Sequence, residues 1–235
     1  AYYSASDYAK RQQEDAGKLV GIGIRASKSE SGFIQVNEVY PDSPAEDAQI
    51  KAGDLIVKVN DIDVTADTYE SAITEIGGQA GTKLSLTVRS DNKDREIAEI
   101  TRRVVVTPTI YSHMIGTTGY VKITDFNENT YDQFKKALEN LVGNQGAQSL
   151  IFDLRNNTGG LVDPAIKMLD MLLPEGVIAT ATYRDGSTEV LGNSDANCID
   201  LPMAVLTNEN TASAAELFTQ ALRDYNVAKS VGTNT

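Results

Sequence analysis

The chain has 235 residues, 41% hydrophobic and 23% charged, enough for one large globular domain or two ordinary ones. Its formal net charge is −12 with no basic stripe, which argues against nucleic acid or an anionic membrane surface as partner. A lone Cys198 and a lone His113 leave no internal disulfide and no Cys/His zinc cluster, and no apolar run approaches the roughly 20 residues of a membrane helix.

Residues 1–18 are polar, with Tyr2, Tyr3 and Tyr8 as anchors, and predict a short helix over Ser6–Gly17. The start, Ala1–Asp7, lacks both an initiator methionine and the basic and apolar regions of a signal peptide. It is therefore expected to be the start of an excised fragment. Leu19–Arg25 reads as a strand punctuated by Gly21 and Gly23, and Phe33–Tyr40 as an alternating strand closed by Pro41-Asp42-Ser43-Pro44. Ser43 is the expected N-cap of a short helix over Pro44–Ile50. A strand over Leu55–Asn60, an amphipathic helix over Asp67–Ile76 ended by Gly77-Gly78, and a hairpin of Leu84–Arg89 with Arg95–Arg103 complete a small domain over 19–105.

A second texture follows Pro108. Thr107–Thr118 reads as a linker that lets two units move. Strands are expected over Gly119–Ile123, Ser149–Leu154, Val177–Tyr183 and Met203–Thr207, and helices over Tyr131–Val142, Asp163–Leu173 and Ala214–Tyr225. That alternation argues for an α/β layer over 106–235.

Two segments carry chemistry. Asn210–Glu216 sets Ser213 among small residues where a strand gives way to a helix, and Phe152–Gly160 ends a strand in a Gly-Gly turn. A nucleophile near the positive end of a helix dipole, beside glycines that can aim main-chain N–H groups at an oxyanion, is equipment for acyl transfer. The bland readings are that Ser213 is an ordinary N-cap and that Asp153 and Arg155 form a structural ion pair. For Asp153 and Arg155 the bland reading is kept. A Ser-His-Asp triad using His113 has no adjacent acid signal to support it.

Gly21-Ile22-Gly23-Ile24, Asp42-Ser43-Pro44-Ala45-Glu46, Lys51-Ala52-Gly53-Asp54 and Ile56–Asn60 together resemble a PDZ domain, in the circularly permuted order seen in bacterial proteases. Gln49 departs from that pattern, standing where the family usually has glycine. In sequence with Gly119–Ile123, Asp153–Gly160 and Ala212–Glu216, the chain from about Leu19 to Thr235 resembles the carboxy-terminal processing peptidases. The implied fold is α/β and α+β: a permuted PDZ domain followed by a crotonase-like α/β peptidase core of layered sheet and helices.

The resemblance implies a serine endopeptidase with a Ser/Lys dyad. Ser213 matches the nucleophile, Gly159 and Ala214 the residues whose N–H groups hold the oxyanion, and Glu216 a supporting acid. Gly21, Ile22, Gly23 and Ile24 match the loop that receives a substrate's C-terminus, so the implied partners are polypeptides with free C-termini. No metal or cofactor is implied. The family's lysine base follows a Gly-x-x-x-Phe-Gly-Lys-Gly type of segment whose opening is matched by Ser230–Thr235, so the lysine is expected after Thr235 and the fragment is expected to be inert. Lys229 precedes that segment and is not assigned the role. An extracytoplasmic, membrane-anchored bacterial parent is implied. The rival reading is a non-catalytic peptide-binding scaffold on a degenerate peptidase fold.

Overall fold

A computed structural model describes residues 12, 13 and 15–235, so most of the helix expected over Ser6–Gly17 lies outside the described residues. The described residues divide into two compact units, one of Lys18–Thr107 and one of Pro108–Thr235 with the described residues before Lys18.

The first unit contains strands β1 (Lys18–Gly21), β2 (Ile24–Lys28), β3 (Ile34–Val39), β4 (Leu55–Val59), β5 (Ile62–Asp63), β6 (Lys83–Ser90), β7 (Lys93–Thr101) and β8 (Arg103–Val106), with helices α1 (Pro44–Asp47) and α2 (Tyr69–Ile76). The main sheet runs β2-β3-β4-β6-β7 with β5 on β4, so β2 is an edge strand, while β1 pairs antiparallel with β8. The single strand expected over Leu19–Arg25 is thus broken in two. Gly23 is the cause: its φ is +79°, and a Cβ there would lie 2.3 Å from the Ser43 Cβ, so only glycine turns the chain at this point. Buried apolar residues of β3, β4 and β6 (Ile34, Val36, Ile56, Val59, Leu86, Val88) fill a core with Ile22 and Ala72; they alternate in β3 and β6, while a register shift between Ile56 and Lys58 sets Ile56 and Val59 three apart.

Ser43 caps α1 as expected, accepting from the Glu46 N–H at 3.2 Å. Gln49 then adopts φ +56°, taking the left-handed conformation for which glycine is the usual choice. The C-terminus of α2 is satisfied by the buried Arg102 side chain, which donates to the carbonyls of Glu75 and Ile76.

In the second unit β9 (Ile110–Ile115), β10 (Thr118–Ile123), β11 (Ser149–Asp153), β14 (Met203–Thr207) and β15 (Ala228–Gly232) form one sheet in the order β15-β14-β11-β10-β9. The β9–β10 pair is antiparallel; the remaining pairs are parallel. The linker expected over Thr107–Thr118 is therefore mostly an edge strand of this sheet. Helices α3 (Thr130–Leu138), α4 (Val162–Asp170) and α5 (Ala214–Asp224) make the crossovers, and β12 (Gly176–Thr182) with β13 (Thr188–Ser194) forms a separate hairpin. The helix expected to Val142 is α-helical only to Leu138 and continues as a π-helix over Glu139–Asn144.

The strand order advances steadily, and parallel crossovers, right-handed as a rule, then lay the helices on one face of the sheet. Phe126, Phe134, Phe152 and Phe218 meet between the layers, each at most 1% exposed, with ring centroids 5.7–6.4 Å apart. Phe218→Ala is expected to cost about 3–5 kcal/mol, read as a lower urea midpoint; a loss below about 1 kcal/mol would contradict this placement.

Candidate active site

Parallel strands β11 and β14 are neighbours, with Asp153 opposite Leu206 at their C-terminal ends. The loops that leave these ends are the two motifs singled out in the sequence. Binding and catalytic residues in parallel sheets gather at this end, where loops diverge from a fixed frame.

Two serines at helix starts provide a comparison. Ser43 is fully buried with φ −103° and ψ 158°, the extended conformation of an ordinary N-cap. Ser213 is exposed and sits at φ 56° and ψ −122°, a conformation that costs a non-glycine residue about 1–3 kcal/mol. The turn has the shape of the sharp strand-to-helix elbow that in other hydrolases lifts a serine out of the chain's path. The Ser213 N–H donates to the Glu216 carboxylate at 2.8 Å, and the Glu216 N–H returns to the Ser213 carbonyl at 2.9 Å. The other carboxylate oxygen of Glu216 accepts from the Thr235 hydroxyl at 2.7 Å. These bonds, Thr235 first and then Ser213, hold the Glu216 pKa below its ordinary value. Negative charge is thereby fixed in the first turn of α5.

Gly159 packs directly on this elbow. With φ +104°, a Cβ on it would lie 2.7 Å from the Ser213 Cβ, 2.8 Å from the Ala212 carbonyl oxygen and 2.9 Å from the Ala214 nitrogen. Its missing side chain keeps a Cβ off the Ala214 nitrogen, at a residue that is itself 1% exposed. As the first residue of α5, Ala214 has an N–H with no intrahelical acceptor. The Gly159 N–H, assigned to the oxyanion from sequence, donates in this structure to Asn157 Oδ1 at 2.8 Å. The exposed glycine of the turn is Gly160, expected as part of the Gly-Gly turn that aims N–H groups at an oxyanion but not named as the donor. A hollow of about 210 Å³ opens beside the turn, lined by Asp125, Asn127, Thr158 and both glycines among others.

Asp153 and Arg155 form the structural ion pair, bidentate at 2.9 and 2.7 Å, and the Tyr120 hydroxyl donates to the same carboxylate. Asp153 is 1% exposed. Burial opposes its ionisation, but the hydrogen bonds from Arg155 and Tyr120 outweigh burial and bring its pKa down to about 2. His113 stands on β9 opposite Tyr120, ring centroids 4.9 Å apart. β9 is three strand spacings from β14, about 14 Å, so His113 belongs to the sheet edge and not to Ser213. Lys229 is an exposed residue of β15, paired with Ala204.

In the first unit, Gly21, Ile22, Gly23 and Ile24 line a groove of about 360 Å³ with Ile73 and Ile76 of α2. Ile22 is 1% exposed and shared with the core, whereas Ile24 is half-buried. The groove lies along the edge strand β2.

The model of peptidase family S41 matches residues 117–235, and a PDZ domain model matches 35–90. The chain belongs to peptidase family S41. Within that family it is similar to a probable CtpA-like serine protease of Staphylococcus epidermidis, 31% identical over 237 residues. That match covers 100% of the chain and 48% of the relative. The corresponding Staphylococcus aureus protein is 30% identical over 239 residues, covering 98% of the chain and 48% of the relative. The chain thus spans about half the length of the curated relatives it matches. Among solved structures it is similar to the photosystem II D1 C-terminal processing protease, with a TM-score of 0.51 and 26% identity over 97% of this chain and 64% of that one. A putative S41 protease of Bacteroides fragilis shares the fold, with a TM-score of 0.58 and 19% identity, covering 98% of this chain and 70% of that one. This S41 chain is a PDZ domain joined to a serine peptidase fold of the C-terminal processing type.

Because the folded Asp153 pKa of about 2 lies below the ordinary 3.8, its pairing adds stability above about pH 4 that is lost as pH falls toward 2. Asp153→Asn is expected to cost about 1–2 kcal/mol at pH 7, discounted for screening at the half-exposed Arg155. Urea unfolding of both proteins should show that gap narrowing between pH 5 and pH 3; a gap independent of pH would contradict the assignment.

Proposed function

We propose that the protein is a serine endopeptidase that takes a substrate polypeptide by its free C-terminus in the PDZ groove and cleaves it at Ser213. The observation that carries the reading is the strained, exposed elbow at Ser213 with Gly159 packed against it, where the absence of a Cβ keeps a side chain off the Ala214 nitrogen. In the proposed reaction Ser213 Oγ attacks the scissile carbonyl. The Ala214 N–H and the Gly159–Gly160 turn hold the oxyanion, each such donor being worth about 3–4 kcal/mol of transition-state stabilisation. The serine proton passes through the base to the leaving amine. Water then hydrolyses the acyl-enzyme with the base acting again. Glu216 serves as a support that fixes the Ser213 backbone and is not a proton carrier.

The proposed base is a lysine following Thr235 in the full-length protein, as in a Ser/Lys dyad, and the 235-residue chain alone is inert. Two placements favour this reading over a base within the chain: His113 is strands away, and Lys229 is exposed on β15. A lysine acts as base only when its surroundings lower its pKa toward neutrality.

For substrate capture, the open edge of β2 offers main-chain groups for strand addition, and Ile24, Ile73 and Ile76 offer an apolar seat for a terminal side chain. The likeness to CtpA-like proteases supports an extracytoplasmic place in a bacterial cell as part of the proposal. The full-length protein should cleave a peptide with a free apolar C-terminus, and Ser213→Ala should reduce kcat by more than about 10⁴-fold while leaving the peptide Kd within about twofold. The 235-residue chain should bind the same peptide without cleaving it. Cleavage that survives Ser213→Ala, or equal binding of a C-terminally amidated peptide, would overturn the reading.

A further inference from the structure

The two loops that meet at Ser213 come from segments more than 50 residues apart, and a set of asparagines joins them. Asn157 is fully buried and uses every polar group it presents. Its Nδ2 donates to the Ile123 carbonyl at the end of β10, 2.9 Å away. Its Oδ1 accepts from the Gly159 N–H at 2.8 Å, and its main-chain carbonyl accepts from the Ala212 N–H at 3.0 Å. One residue thus fixes the end of a core strand, the glycine of the turn and the residue preceding Ser213.

Asn156 and Asn208 form a second, outer clasp across the same two loops. The Asn156 N–H donates to Asn208 Oδ1, and Asn208 Nδ2 donates back to Asn156 Oδ1, both at 2.8 Å. Thr211 adds a third tie, its hydroxyl donating to the Leu154 carbonyl at 2.9 Å.

We propose that Asn157 is the positioning residue of this active site, clasping the glycine turn to the Ser213 elbow so that hydroxyl and amides are held in register before substrate arrives, with Asn156–Asn208 as the outer clasp. The inference rests on the reading of Ser213 as nucleophile. The chemistry accounts for the residue type. Gly159 requires an acceptor and Ile123 requires a donor, and a primary amide supplies both without charge at a fully buried position. An aspartate keeps the shape and the acceptor but sets a second oxygen against the Ile123 carbonyl. The effect on catalysis follows from geometry, since a displacement of about 1 Å between reacting groups costs on the order of 10²-fold in rate.

The test uses the full-length protein with a peptide substrate ending in a free apolar residue, and a peptide boronic acid that forms a tetrahedral adduct on serine. Asn157→Asp is expected to lower kcat by about 10²-fold with KM within about twofold, and to weaken boronate inhibition by a similar factor. Asn208→Ala, at a half-buried position, is expected to lower kcat by about tenfold with an unchanged melting temperature. A folded Asn157→Asp protein with kcat within threefold of the parent, or with boronate inhibition unchanged, would overturn the proposal. Should Asn157→Asp fail to fold, Asn208→Ala decides: unchanged kcat overturns it. Ser213→Ala is run alongside; cleavage that persists in it removes the underlying reading instead.

Discussion

Ser213 is held in a backbone conformation that its side chain disfavours, and the surroundings that enforce it are the surroundings a nucleophile needs. Its φ of 56° and ψ of −122° turn the chain sharply from the loop after β14 into α5 and leave the hydroxyl exposed. A cost of about 1–3 kcal/mol persists only where neighbouring contacts over-determine the geometry. Here Glu216 takes the Ser213 N–H, Asn157 takes the Ala212 N–H, and Gly159 fills the inside of the bend with no atom to spare. The aromatic layer formed by Phe126, Phe134, Phe152 and Phe218 fixes the strands and helix from which both loops depart. Packing in the core and strain at the surface are two ends of one arrangement.

Much of this was legible in the residues. The alternation over Phe33–Tyr40 revealed β3, and the helical period over Tyr131–Val142 revealed α3, because burial against one face imposes those periods. Ser43 followed by Pro44 announced α1. The pairing of Ser213 with the Gly-Gly turn came from motif order, and the structure brings Gly159 and Ser213 into contact.

The remainder depended on partners distant in the chain. β9 reads as a linker because Tyr111, Ser112 and His113 lack alternation, and only its pairing with β10 makes it a strand. β13 is exposed along most of its length, so it carries no burial period to read. The break at Gly23 is set by Ser43, and the left-handed Gln49 by the turn after α1; neither is a local preference of the residue concerned. Asn157 was visible as part of a motif, but its bonds reach 34 residues back to Ile123 and forward to Ala212. The Gly159 amide shows the same limit: its inward bond to Asn157 is a feature of the folded turn that no spacing of glycines announces.

A structure of the full-length protein carrying a peptide phosphonate or boronate would show whether Ser213 is the nucleophile. The expected result is a covalent adduct on Ser213 Oγ with the tetrahedral oxygen about 2.7–3.1 Å from the Ala214 nitrogen and from an amide of the Gly159–Gly160 turn. An adduct on any other residue, or an oxygen turned away from the glycine turn into solvent, would contradict it.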